Sequence, residues 1–424
     1  MSAPAATGLA DRVLRRVPAL LRHTGFRRYW TAQTISYLGD QVTIVALPLV
    51  AVVTLDAGPG EVAVLSAAGS LPSLLFSLHA GAFADRRGHR RRMMVVADVA
   101  RAFLLLTVPV AYLLDALTLN QLYVVAFCTG SLAVFFNVCA TGLFTSVVPR
   151  SGYVQGMSLV KGSYSFSWTA GPSFAGVLVQ ILSAPVVLVL DVLSFLGSAS
   201  LIGSISAKEP SGEPAQRGHI KEGLRFVLRT PALLAKFLTD ASLNFFYSVY
   251  FALLILYATH ELGLAPGLIG LVLGGGAVGA LIGSAAASAV IRRTGIGRAF
   301  FLGSLLYPGA LALAPLASGS PWPAAMLLTA AEFASGFGLM VCDIAGSSIQ
   351  QALTPDRLRS RVQGAYLLFD NGARPLGALA GGALGTWMGL RPTLWVAVVG
   401  GVGCVLLLLL SPLSRMRELP EEAK

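Results

Sequence analysis

Apolar runs of about 20 residues recur along the whole length of this 424-residue chain, each long enough to cross a bilayer core as a helix. Read coarsely, they fall at 32–55, 61–84, 93–114, 121–148, 157–182, 186–206, 233–258, 266–290, 299–317, 323–349, 362–386 and 392–413. In lipid, backbone polar groups must be satisfied within their own segment. The pattern therefore predicts an all-α polytopic membrane protein with twelve transmembrane helices. Pro48, Pro72, Pro109, Pro172, Pro308 and Pro375 interrupt spans, which membrane helices tolerate better than soluble ones. Only 12% of the residues are charged, against about 25% in soluble domains.

The second half of the chain repeats the first. Moving along by 206 residues carries Arg86-Arg87 onto Arg292-Arg293, Pro149 onto Pro355, Gly171 onto Gly377 and Gly176 onto Gly382. Two six-helix copies in the same orientation follow, a parallel repeat in which transporters handle substrate between the halves. The division is an N-terminal segment 1–31, a first half 32–206, a linker 207–232, a second half 233–413 and a tail 414–424. Residues 207–219 are polar and Pro/Gly-rich, as a flexible linker requires. Residues 220–230, with Ile220, Leu224, Val227 and Leu228 beside Lys221, Arg225 and Arg229, have amphipathic helical spacing. Residues 11–23 read as an amphipathic helix on the inner membrane surface, since no cleavable signal peptide is visible.

Positive charge orients the bundle. Of the 31 Lys and Arg, 26 lie in the alternate loops that share a side with both termini, and the opposite loops hold only Arg391. That bias places both termini in the cytoplasm of a multi-pass protein of the inner or plasma membrane. It also accounts for the net charge of +11 without nucleic acid, because the basic loops face anionic lipid. Cys128, Cys139, Cys342 and Cys404 all fall within spans, where thiols act as small apolar packers. His23, His79, His89, His219 and His260 are scattered, so no metal site or enzymatic constellation is expected. No Gly-x-x-x-x-Gly-Lys-Ser/Thr sequence is present, which leaves an ion gradient, most simply protons, or the substrate's own gradient to drive movement.

The segment 81–92 has more chemistry than a positive loop needs. Gly81 permits close helix approach, Gly88 permits a turn, and Asp85 sits where the helix leaves the membrane, beside Arg86 and Arg90. This block resembles the signature loop of the major facilitator superfamily, with Phe83 in place of the usual Leu and His89 in place of the usual Arg. Phe26-Arg27-Arg28-Tyr29-Trp30, Asp40 with Ala46-Leu47-Pro48, Asp98 with Arg101, and Asp191-Val192-Leu193-Ser194-Phe195 resemble one branch of it, the drug and siderophore exporters similar to enterobactin and macrolide efflux proteins. The resemblance implies the major facilitator fold, a monomer, and a latch of Gly81, Asp85, Arg86, Gly88 and Arg90. It places Asp85 against the start of the eleventh span near Val362 in the outward-facing state. The repeat position of Asp85 holds Ile291, so the latch acid occurs once.

Ionisable groups within spans are costly unless they pair or line water, so each is a candidate site. Seven acids (Asp40, Asp98, Asp191, Asp240, Glu332, Asp343, Asp370) face four bases (Arg101, Lys161, Lys236, Arg374). Asp98 and Arg101, three apart, and Asp370 and Arg374, four apart, read as intramembrane pairs. Asp191 belongs to a structural motif of the branch. Asp343 occupies the repeat position of Asn137 near a helix end. By resemblance the first, fourth, seventh and tenth spans line the cavity. Glu332 lies about 14 Å into the tenth and Asp40 about 12 Å into the first at 1.5 Å per residue. Those two lead a proton and substrate pathway that also takes in Asn137, Asp343, Asp240, Asn244 and Lys161. The run Phe245, Phe246, Tyr247, Tyr250 and Phe251 offers either a stacking surface for cationic ligands or ordinary packing.

The expected function is secondary active export of a hydrophobic drug-like or siderophore-like small molecule, with no cofactor and with the lipid bilayer as surroundings. Import, lipid flipping, and a non-transporting sensor or scaffold are the alternatives.

Overall fold

The computed structural model describes residues 19–87, 89–149, 152–206, 219–355, 358–411 and 413, and their side chains apart from 77–87, 154, 169, 219–221, 359–360, 367, 371 and 410. Among these residues there are twelve long helices. The first half holds α1 (Thr24–Leu49), α2 (Pro59–Arg87), α3 (Arg90–Leu113), α4 (Leu119–Val147), α5 (Tyr153–Leu182) and α6 (Ala184–Gly203). A linker helix, His219–Arg229, precedes the second half. That half holds α7 (Pro231–Leu256), α8 (Pro266–Thr294), α9 (Ile296–Ala310), α10 (Pro321–Leu353), α11 (Arg359–Met388) and α12 (Leu390–Leu406).

Local chemistry sets the helix ends. Proline occupies the first turn of α6, α7, α8 and α10, where the missing N–H would have no intrahelical partner. The Thr118 side chain caps α4 by accepting from the Gln121 N–H. Several helices outrun the apolar spans. α1 begins at Thr24, so the Phe26–Trp30 segment lies inside it, and α9 breaks after Pro308 into a short second helix, Leu313–Leu316. Ten of the twelve are long and apolar enough to cross a membrane. The other two, α5 and α11, carry the polar runs Lys161–Ser167 and Asp370–Arg374.

Packing repeats with the sequence. α1 packs on α5 and α6 as α7 packs on α11 and α12, and α4 packs on α2 and α3 as α10 packs on α8 and α9. α3 packs on α6 as α9 packs on α12. Across the halves, α5 meets α8 and α2 meets α11, each contact the image of the other. The backbone repeats too. Positive φ angles at Asp56, Asp115 and Ser183 recur in the second half at Gly263, Gly319 and Gly389. Both α1 and α7 end in a π-helical turn, Val50–Thr54 and Tyr257–Glu261.

The two ends of the bundle differ. At the end opposite the arginine-rich loops, one buried core spans both halves and includes Leu49 and Val52 of the α1 end, Val62 of α2, Val179 of α5, Leu254 of α7 and Ile269 of α8. At the arginine-rich end the described buried residues form separate cores. One holds Phe26, Phe136, Leu143 and Phe144, another Leu243, Phe300 and Ile349, and a third Val227, Phe237 and Val362. Close helix crossings draw the far end together. A Cβ on Gly176 would stand 2.6 Å from Gly270 Cα and 2.7 Å from the Pro266 carbonyl oxygen. A Cβ on Gly382 would stand 3.0 Å from the Pro59 carbonyl oxygen and 3.3 Å from Gly60 Cα. Small residues let backbones approach this closely, and dispersion then holds helices together where lipid offers no hydrophobic drive.

The linker helix is docked. Val227 is buried with Leu233, Phe237, Leu358, Val362 and Ala365, Gly223 abuts the Arg361 carbonyl, and Glu222 pairs with Arg361. The expected amphipathic helix 11–23 is described only at Ala19–Arg22, a single 3-10 turn, and the linker 207–218 and the tail 414–424 lie outside the described residues.

Candidate transport site

The sequence places Asp40 in α1, Asp98 and Arg101 in the middle of α3 and Asp191 in α6, and the fold brings them together. Arg101 pairs with Asp40 across α1 and α3, lies 3.7 Å from Asp98, and stacks its guanidinium 3.9 Å from the centre of the Phe195 ring. The i, i+3 spacing pairs Arg101 with Asp98, and that ion pair is present; the structure adds a nearer partner, Asp40, on another helix. Asp98 is fully buried, and neither carboxyl oxygen has a hydrogen-bond partner among the described residues. Asp191 accepts from Thr43 Oγ1 of α1 and, at 2.7 Å, from Ser194 Oγ. The close approach of α1 to α6 that permits this passes through Gly39, which has no room for a side chain beside Asp191 and Ser194.

The second half holds a longer network. Lys236 lies 2.9 Å from Asp240 and donates to Gln350 Oε1 at 2.8 Å, and Gln350 Nε2 donates to Gln363 Oε1 at 3.0 Å. The Lys236 ammonium also sits 4.1 Å from the Tyr366 ring centre. A second cluster joins α7 to α11. Asn244 Nδ2 donates to Asp370 Oδ1 at 2.7 Å, Arg374 Nε donates to Asn244 Oδ1 at 3.2 Å, and Arg374 lies 3.2 Å from Asp370. Asp240 is thus held by Lys236 rather than lying open to a cavity, and its side chain is only 12% exposed. Gln350, Gln363 and Tyr366 escape a search for charged residues. The i, i+4 spacing of Lys236 and Asp240 is visible in the sequence and could have led to them.

Glu332 stands apart. It is 5% exposed on α10, faces Tyr250 of α7, and its Oε2 lies against Gly276 of α8. Among the described residues no base pairs with it, and Oε1 has no hydrogen-bond partner. The aromatic run around it packs inward. Tyr247 stacks on Tyr250 and Phe251 and lies 5.3 Å, centre to centre, from Tyr307, so these rings form part of the second half's interior.

Lys161 of α5, Asn137 of α4 and Asp343 of α10 are exposed, the last two at equivalent repeat positions. Lys161 and Trp168 flank Tyr164, 5.8 Å and 6.2 Å from its ring centre, and Tyr37 of α1 packs edge-on at 5.2 Å. Gly81, Asp85 and Arg86 fall on the last turns of α2 with side chains outside those described, and Gly88 lies outside the described residues. The contact expected between Asp85 and Val362 lies there too. Arg90 opens α3, and its side chain lies across Gly142 of α4.

Comparison with known proteins agrees with this architecture. A family model described as transmembrane secretion effector matches residues 17–424. The uncharacterised MFS-type transporter YfiS of Bacillus subtilis is 27% identical over 402 residues, covering 92% of this chain and 93% of its own. The multidrug efflux pump Tap of Mycolicibacterium fortuitum is 28% identical over 374 residues, covering 84% of this chain and 88% of its own. In fold, the chain is similar to a bacterial homologue of the iron transporter ferroportin in an inward-facing state, with a TM-score of 0.73 at 17% identity over 92% of this chain and 99% of that one. It is likewise similar to the nucleoside transporter NupG, with a TM-score of 0.71 at 11% identity over 93% and 99%. With its repeated six-helix halves and charges gathered between helices, the chain belongs to the transmembrane secretion effector family of the major facilitator superfamily and is a multi-pass membrane transporter.

Proposed function

We propose that the protein exports a hydrophobic drug-like small molecule in exchange for protons, by alternating access between its halves. Support for two-sided access is the packing of the ends: among the described residues one core spans both halves at the far end, whereas the cores at the arginine-rich end each stay within one half or its linker helix. With the arginine-rich side in the cytoplasm, the glycine crossings of α5 with α8 and α2 with α11 are the closed outer gate. Lys161, Tyr164, Trp168, Asn137 and Asp343 then face the inward cavity and meet the substrate. The family relationship to a multidrug efflux pump supports outward movement of several compounds. A siderophore-like cargo belongs to the same reading.

The observation that carries proton coupling is Glu332. A buried carboxylate with no base is expensive in this setting, so gain and loss of its proton changes the energy of the surrounding helices strongly. Asp40 and Asp240, by contrast, each have a basic side chain beside them. The coupled form is a monomer that draws only on the proton gradient. Everted vesicles energised to be acidic inside test the reading: lipophilic drugs should collapse the gradient when the wild-type protein is present. A panel that leaves the gradient untouched, while the same vesicles accumulate none of the drugs, contradicts export.

A further inference from the structure

The two halves finish differently at the far end. Their π-helical turns, Val50–Thr54 and Tyr257–Glu261, set Thr54 at the repeat position of Glu261. The residues that open α6 and α12, Ser183 (φ 71°, ψ 153°) and Gly389 (φ 88°, ψ 169°), set Pro185 at the position of Arg391. In the second half this corner is filled. Arg391 Nε lies 3.5 Å from Glu261, Arg391 Nη2 donates to the Ala317 carbonyl at 3.1 Å, and the guanidinium sits 5.9 Å from the Tyr257 ring centre. One arginine thereby ties the end of α7, the turn before α10 and the start of α12.

In the first half both partners of that staple are replaced by short uncharged side chains. A cavity of about 400 Å³ stands there, lined by Val53, Thr54, Tyr112, Val179, Ser183 and Pro185 among others. The volume is that of a small-molecule pocket. Its lining holds three hydroxyl groups, from Thr54, Tyr112 and Ser183, with aliphatic side chains around them and no charged residue. The surrounding surface is apolar, since Val53, Ile181 and Leu182 are exposed. Ser183 is itself notable. It adopts a backbone conformation that glycine takes with ease, and its repeat mate is glycine. The strained serine lines the cavity with a hydroxyl-bearing side chain where glycine would have none.

We propose that this corner binds an uncharged amphiphile taken from the membrane, an aliphatic chain or ring bearing a hydroxyl or carbonyl that meets Thr54, Tyr112 and Ser183. Charged ligands are excluded because nothing in the lining offsets the desolvation of a charge. A membrane glyceride and a neutral hydrophobic cargo share this chemistry, and competition separates them.

The full chain in lipid nanodiscs is labelled with a photoactivatable diazirine alkanol, and the adducts are mapped by mass spectrometry. Saturable labelling at Thr54, Tyr112 or Ser183 is expected. It should fall about tenfold in the Thr54→Glu/Pro185→Arg double variant, which rebuilds the staple of the second half. It should fall equally in Ala184→Phe, which fills the cavity without charge. Competition by a diacylglycerol assigns the occupant to lipid, and competition by a neutral drug assigns it to cargo; either supports the site. Labelling that does not saturate, or that persists in an Ala184→Phe protein with wild-type thermal stability, overturns it. The readout is binding alone, so it stands or falls independently of the direction and coupling of transport.

Discussion

At the scale of single residues, the repeat shows where backbone conformation costs stability. Ser183 and Gly389 share one conformation, but only glycine adopts it freely. Strain at such a site is worth about 1–3 kcal/mol, and added glycine flexibility returns about 0.5–1 kcal/mol of it. Ser183→Gly should therefore stabilise the protein by about 1 kcal/mol, and Gly389→Ser should destabilise it by about 1–3 kcal/mol. Thermal unfolding of the two variants in detergent checks both signs. This symmetry could not be read from the sequence, because Asp56, Asp115 and Ser183 are not glycines and nothing local marks them. The charged residues were legible as a set, and the pairs within one helix, Asp98 with Arg101 and Asp370 with Arg374, were legible too; the pair between helices was not. Spacing along one helix suggests Asp98 with Arg101, whereas Asp40 with Arg101 exists only once α1 and α3 both pack on α6. Glu332 was visible as an acid with no base within a turn, and the fold leaves it unpaired across helices as well among the described residues.

At the scale of elements, the linker helix is the part whose role changed most on folding. Its amphipathic spacing was plain in the sequence, but its partner was not. The helix lays Val227 against Val362 and Ala365 of α11 and Phe237 of α7, so it grips the helix that also packs on α2 across the halves. Val227→Asp loses about 1.5 kcal/mol or more of apolar burial and forces a carboxylate into that cluster. It should release the helix, and trypsin should then cut at Lys221, Arg225 and Arg229 markedly faster than in the wild-type protein. Glu222→Gln should change the cutting rate little, since an exposed ion pair contributes about 0–1 kcal/mol. The polar character of α5 and α11 belongs to this scale too. Their charges weaken the apolar signal of each segment, and both helices take part in the contacts between halves.

At the scale of the whole molecule, the parallel repeat was the strongest message in the sequence, and the main helix pairings follow it. What the repeat could not disclose is which end is closed, because that depends on how two similar halves lean against each other. Gly176 and Gly270 approach so nearly that a Cβ on either would stand within 3 Å of the facing backbone. Gly176→Leu should therefore push α5 away from α8 and destabilise the protein by about 1–3 kcal/mol, read as a lower thermal unfolding temperature in detergent. The central claim is that proton movement passes through Glu332, and it separates two activities that wild-type protein performs together. In proteoliposomes, the Glu332→Gln protein should still exchange labelled drug for unlabelled drug, at a rate independent of pH, and should fail to accumulate drug against its gradient when a pH difference is imposed. Accumulation by Glu332→Gln equal to that of the wild-type protein would contradict the account.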